Sequence, residues 1–194
     1  MKKIIFASVP MANKAVTYHT KYKVYNNPSL EWNKEIILPL SSVLFNTLKK
    51  EDIVKVILIK EQQDEQEDQH YEKQVKEEIE EIESIIGCEI KIKIIKKKDE
   101  EDIFSHEKLF EKLIDELEEN VEIYADVTYG TKTLPFIIFN VLTFAAQICN
   151  ARIVNISYGK IKFKKGEQQQ KDSSDKKSNS QIKSAVIFNL SSLY

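Results

Sequence analysis

The chain is poor in residues that interrupt or staple a fold, with four glycines and four prolines in 194 residues. That scarcity excludes collagen-like and glycine-rich disordered classes. Its two cysteines, Cys88 and Cys149, lie in apolar runs without metal-ligand spacing, so buried reduced thiols are expected. The three histidines, His19, His70 and His106, stand far apart, and no zinc-like cluster or bound metal is expected. Neither charge sign dominates: 29 basic side chains face 31 acidic ones, a formal net charge of -2. No bulk electrostatic attraction to duplex nucleic acid or an anionic membrane follows. The longest apolar run, Leu134 to Cys149, contains Thr, Asn and Gln and falls short of the roughly 18–20 residues that span a bilayer. The apolar opening before Pro10 is too short for a secretory signal, so a cytoplasmic location is expected. A Gly-x-Gly-x-x-Gly after the first strand and a Gly-x-x-x-x-Gly-Lys-Ser/Thr are both missing, which disfavours dinucleotide dehydrogenases and P-loop NTPases.

What is present is an alternation of short apolar runs and helical periods. Lys2 to Val9 reads as a buried strand, followed by a long loop from Met11 to Glu31 holding Tyr18, His19, Tyr22, Tyr25 and three lysines. A helix is expected over Trp32 to Lys50, capped by Ser29 and kinked or delayed by Pro39. Further strands read at Ile53–Ile59, Cys88–Ile95, Val121–Val127 and Ala151–Ser157. Helices read at Tyr71–Ile86, ended by Gly87, at Phe104–Leu117, and from Thr131 or Thr133 to Ile148. The acidic block from Glu61 to Glu83, eleven carboxylates against two lysines, reads as a solvated helix face. Tyr158-Gly159 is expected to turn into a hairpin-like strand, Lys160–Phe163. Residues 164–184 are Gln-, Lys- and Ser-rich, predicting a mobile loop, and Ala185 onward predicts a returning edge strand.

This order predicts an α/β, doubly wound, mostly parallel Rossmann-like sheet over residues 1–163, with helices on both faces and a C-terminal β-hairpin-like edge. Ligands of such sheets sit beyond the carboxyl ends of the strands, where strand order reverses. With order 3-2-1-4-5, that point lies between strand one and strand four. The loops there carry Ser8, Val9, Pro10, Met11 and Lys14, and Asp126, Thr128, Tyr129, Gly130, Thr131 and Lys132. The second loop joins a helix N-terminus, a glycine and a lysine, which suits phosphate. The plainer alternative is that Thr131 or Thr133 caps the helix and Asp126 satisfies turn amides.

Asp126-Val127-Thr128-Tyr129-Gly130, followed by Lys132 and Leu134-Pro135, resembles the Asp-x-Thr-His-Gly motif of CRISPR-associated Rossmann-fold (CARF) proteins, with Tyr129 where the family usually has His. The resemblance extends to the first strand with its Phe6–Pro10 loop and to the element order through Gly159. It implies a homodimer that binds a cyclic oligoadenylate, cyclic tetra-adenylate favoured and hexa-adenylate possible, in type III CRISPR antiviral defence. Ser8, Val9, Pro10, Met11, Lys14, Tyr18, His19 and the 126–132 loop would line the ligand site, with Tyr129 still able to hydrogen-bond and stack.

Two functions are open on this reading. A sensor or regulator would only bind the ring, alone or as the sensor part of a longer effector. A ring nuclease would cleave it without metal or cofactor, with Lys132, Thr128 and Ser8 as catalytic candidates. An unrelated Rossmann-like mononucleotide-binding protein is the further alternative.

Overall fold

The computed structural model describes residues 1–10, 19–62, 65–98, 102–163 and 182–193. Its first strand, β1 (Lys2–Ser8), is apolar on both sides: Ile4 and Phe6 face one way, Ile5 and Ala7 the other, all at most 1% exposed. Burial on both faces is the condition of a central strand in a parallel sheet. The remaining strands are β2 (Lys23–Val24), β3 (Ile53–Gln62), β4 (Glu89–Lys98), β5 (Glu122–Asp126), β6 (Arg152–Phe163) and β7 (Ile182–Asn189). They form one sheet in the order β2-β7-β6-β5-β1-β3-β4. All pairings are parallel except β6 with β7. Order reverses between β1 and β5, the position expected from the sequence.

The helices are α1 (Leu40–Thr47), α2 (Glu65–Ile86), α3 (Ile103–Ile114) and α4 (Leu134–Ile148). Leu109 and Leu113 of α3 and Leu134, Ile138 and Val141 of α4 pack with Ile4, Phe6, Ile57 and Ile123 on one face. Leu40 and Leu44 of α1 and Val75, Ile79 and Ile82 of α2 pack with Ile5, Ala7, Val56 and Leu58 on the other. This is the doubly wound α/β arrangement. A third cluster joins Tyr22, Val24 and Ile36 to Ala185 and Ile187 at the β7 edge, so the long segment after β1 folds back onto the sheet.

Several boundaries differ from the sequence reading: α2 starts at Glu65 rather than Tyr71, and β3 and β4 run on to Gln62 and Lys98. The helix expected from Trp32 begins only at Leu40, with Pro39 as its N-cap, because the proline ring cannot follow a helical turn. Trp32 instead stacks on Phe45 with centroids 4.4 Å apart, and Ser29 lies in a 3-10 turn, donating to Asn27 Oδ1 at 2.7 Å. Tyr158-Gly159 is not a turn, since β6 runs straight through it. A Cβ at Gly159 would lie 2.3 Å from Pro39 Cγ, so the glycine serves a close approach. Finally, β7 pairs antiparallel with β6 from Ser157↔Asn189 to Phe163↔Ile182, starting at Ile182 rather than Ala185, and β2 lies outside it.

At the amino end of the sheet, Lys3 is buried between Asp52 at 3.1 Å and Glu122 at 3.2 Å. Burial alone would lower the lysine's pKa, but its bonds to the two carboxylates outweigh that and raise it. Among the described residues no helix is long and apolar enough to cross a membrane.

Candidate functional site

Strand β5 ends in Asp126, which is fully buried. Its Oδ1 accepts from the Thr128 N–H at 2.8 Å and its Oδ2 from the Leu40 N–H at 3.0 Å. Burial pushes this carboxyl up to about 6, against the opposing pull of its bonds to Thr128 and Leu40. The Thr128 hydroxyl bonds the same carboxylate and accepts from the Gly159 N–H at 2.8 Å. Tyr129 donates its hydroxyl to the Ile37 carbonyl at 2.9 Å. The first half of the motif therefore faces inward and fastens the segment leading into α1.

Glu78 of α2 holds that segment from the other side. Its carboxylate accepts from Ile37 N–H at 2.7 Å and Leu38 N–H at 3.2 Å, while burial pushes it up to about 7. Every N–H from Ile37 to Leu40 thus ends on a buried carboxylate, Pro39 having none. Glu78 belongs to the acidic block expected to be solvated. Glu77 is exposed and pairs with Lys73, and Glu72 bridges Lys76 and Lys60 of β3, while Glu78 shares the inward face with Val75 and Ile82.

The second half of the motif faces the strand ends. Gly130 has φ +103°, and a Cβ there would lie 2.5 Å from Leu134 Cδ2 and 3.4 Å from Ser8 Oγ. Only glycine lets this loop lie over Ser8. The Ser8 hydroxyl is 2% exposed as a residue and has no partner among the described residues. The Thr131 N–H donates to Glu61 Oε1 at 3.2 Å, and the Thr131 and Thr133 hydroxyls lie 3.2 Å apart. α4 begins at Leu134 with Thr133 as N-cap, yet that side chain makes no capping bond. Lys132 is exposed at the mouth of the loop.

The structure thus gathers Ser8, Gly130, Thr131 and Lys132 around the carboxyl ends of β1 and β5 and the start of α4. Asp126 is fully buried behind this surface and Thr128 half-buried beside it, where the two take the Leu40 and Gly159 N–H groups. Tyr129, expected to meet the ligand, turns its hydroxyl to Ile37. Val9 and Pro10 are buried, Val9 donating to the Ile59 carbonyl at 2.9 Å, so they floor the site. Met11, Lys14 and Tyr18 lie outside the described residues. His19 is exposed beside Thr20, whose backbone bridges Ile36. Tyr22, an aromatic of the long loop after the first strand, is 2% exposed within the third cluster.

Sequence reading missed Glu61, Lys97 and Glu78. The strand read as ending at Ile59 runs on to Gln62, which carries Glu61 to the site's rim; a carboxylate at the end of a second strand was the available signal. The Leu134 and Phe136 N–H groups already donate to the Thr131 and Thr133 carbonyls and Pro135 has none, so what the arrangement offers an anion is the exposed Lys132 ammonium and the buried Ser8 hydroxyl, with a carboxylate alongside. Comparison with protein-family models and with curated proteins finds no match for this chain.

Proposed function

We propose that this protein is a CARF-type homodimeric receptor for a cyclic oligoadenylate, cyclic tetra-adenylate being its preferred ring, in type III CRISPR antiviral defence. The observation that carries this reading is the switch-point cluster: the Ser8 hydroxyl, without a hydrogen-bond partner among the described residues, beneath Gly130, with Lys132 beside it just before α4. A phosphodiester takes donors and positive charge from such a place. A cyclic ring of an even number of identical nucleotides has two-fold symmetry, which an isologous dimer matches. Phe136, 71% exposed in the first turn of α4 and four residues from Lys132, supplies apolar surface for that dimer next to the site.

Ring cleavage is the second reading, favoured by the same unpartnered hydroxyl. The ribose 2′-hydroxyl gives its proton to water as its oxygen attacks the adjacent phosphorus, the bond to the 5′-oxygen breaks, that oxygen takes a proton from water, and a 2′,3′-cyclic phosphate and a 5′-hydroxyl result. Lys132 and Ser8 stabilise the charge that develops on the phosphoryl oxygens, and the reaction needs no divalent metal.

The test is incubation with cyclic tetra- and hexa-adenylate, with and without EDTA, products being resolved by chromatography and binding followed in parallel. Tight binding without turnover leaves the receptor, and EDTA-resistant cleavage to 2′,3′-cyclic phosphate ends adds the nuclease. Failure to bind or cleave either ring overturns both.

A further inference from the structure

Glu61 ends β3, the strand next to β1 on the far side of the switch point. The residue is 5% exposed. One carboxylate oxygen, Oε1, accepts from the Thr131 N–H at 3.2 Å and lies 3.7 Å from the Nζ of Lys97, a residue that is itself 2% exposed at the end of β4. The other oxygen, Oε2, is buried and has no hydrogen-bond partner among the described residues. Both oxygens sit on one carbon, so the orphan acceptor lies against the same loop as the orphan Ser8 hydroxyl. Two buried polar atoms without partners among the described residues therefore meet one glycine-containing loop just before a helix. Buried polar groups are nearly always satisfied, so each such exception asks for a missing partner.

We infer that Glu61 accepts a hydrogen bond from a ribose 2′-hydroxyl of the bound nucleotide and makes the site selective for ribonucleotides over deoxyribonucleotides. The inference rests on the cyclic-oligoadenylate reading above. An ionised carboxylate only accepts hydrogen bonds, so its ligand partner must be a donor. A cyclic oligoadenylate has two kinds of donor, the ribose 2′-hydroxyl and the adenine amino group. The hydroxyl is on the carbon next to the phosphoester. A phosphate held by Lys132, the residue after Thr131 in the loop that Glu61 touches, brings a hydroxyl toward Glu61, while the amino group stands at the far end of the base. Lys97 offsets the carboxylate's charge, so a phosphate can lie nearby without facing an unbalanced anion. Doubly wound sheets that bind dinucleotides use an acidic residue for a ribose hydroxyl in the same general way.

The experiment is titration calorimetry of the whole chain with cyclic tetra-adenylate and with its 2′-deoxy counterpart. The wild-type protein should bind the deoxy ring at least tenfold more weakly, because a buried carboxylate then keeps its orphan oxygen. Glu61→Gln should bring the two rings within about twofold of each other, and the double variant Glu61→Gln/Lys97→Met repeats the comparison without the lysine beside that position. Equal wild-type affinity for both rings overturns the inference while leaving the receptor reading intact, and that arm depends on no variant folding. A ring with inosine in place of adenosine gives the amino group its own arm: loss of affinity that Glu61→Gln abolishes would assign Glu61 to the base and overturn the ribose assignment. Absence of binding to either adenylate ring by the wild type removes the receptor reading and this inference with it.

Discussion

Asp126 and Glu78 hold one short stretch of backbone from opposite sides, and their protonation follows from where they sit. Both carboxyls are raised by burial, from 3.8 to about 6 for Asp126 and from 4.5 to about 7 for Glu78. A raised folded-state pKa means the native state binds its proton more tightly than the unfolded chain does. Each contribution is complete below the unfolded value and is lost as pH rises through the folded one. The stability of wild type minus that of Glu78→Gln should therefore fall between about pH 4.5 and about pH 7. The slope should be about 1.4 kcal/mol per unit at its steepest. Denaturant titrations at several pH values measure it, and a flat difference would contradict the assignment. At Gly130, where φ is +103° and a Cβ would strike Leu134 Cδ2, Gly130→Ala should cost about 1–3 kcal/mol in stability from backbone strain alone. Unchanged thermal unfolding of that variant would mean the loop relaxes without cost. The sequence showed that Asp126 and Gly130 mattered to one loop, but not that Asp126 reaches Leu40, 86 residues away in the chain. Contacts of that separation are made by the sheet and leave no local pattern.

Among the elements, the parallel core was legible because its strands are apolar at consecutive positions and its helices repeat every three to four residues. That pattern placed β1, β3, β4, β5 and the start of β6, together with the switch point. The pattern failed where a tertiary contact overrode a local signal. Gly159 looked like a turn and proved to be a passage past Pro39, and Pro39 moved the helix start by a full segment. β3 and β4 run past their apolar cores because Lys60, Glu61, Lys96 and Lys97 continue the pairing in register, and that extension carries Glu61 and Lys97 to the site. Gly159→Leu should separate β6 from the segment before α1 and loosen the Thr128–Gly159 bond at once. A loss of several kcal/mol in denaturant unfolding is expected from overpacking against Pro39 and the displaced backbone, while a stability near wild type would show that the segment yields freely.

As a whole molecule, the chain presents its candidate chemistry at the carboxyl end of the sheet and its ion cluster, Lys3 with Asp52 and Glu122, at the other. Assembly belongs to this scale. Phe136 at 71% exposure, on the first turn of α4, marks the surface proposed to meet its two-fold copy, so light scattering should give twice the 22.6 kDa chain mass. Phe136→Asp should shift the molecule toward monomer and weaken ring binding together, and a variant that remains dimeric would place the interface elsewhere. The most direct measurement of the central claim is titration calorimetry with cyclic tetra-adenylate on the wild type and on Lys132→Ala. One ring should bind two chains, with at least a tenfold loss of affinity in the variant, since each protomer gives up one charge-assisted phosphate contact of roughly 1.5–3 kcal/mol. No binding by the wild type, or the same affinity in both proteins, would contradict that claim.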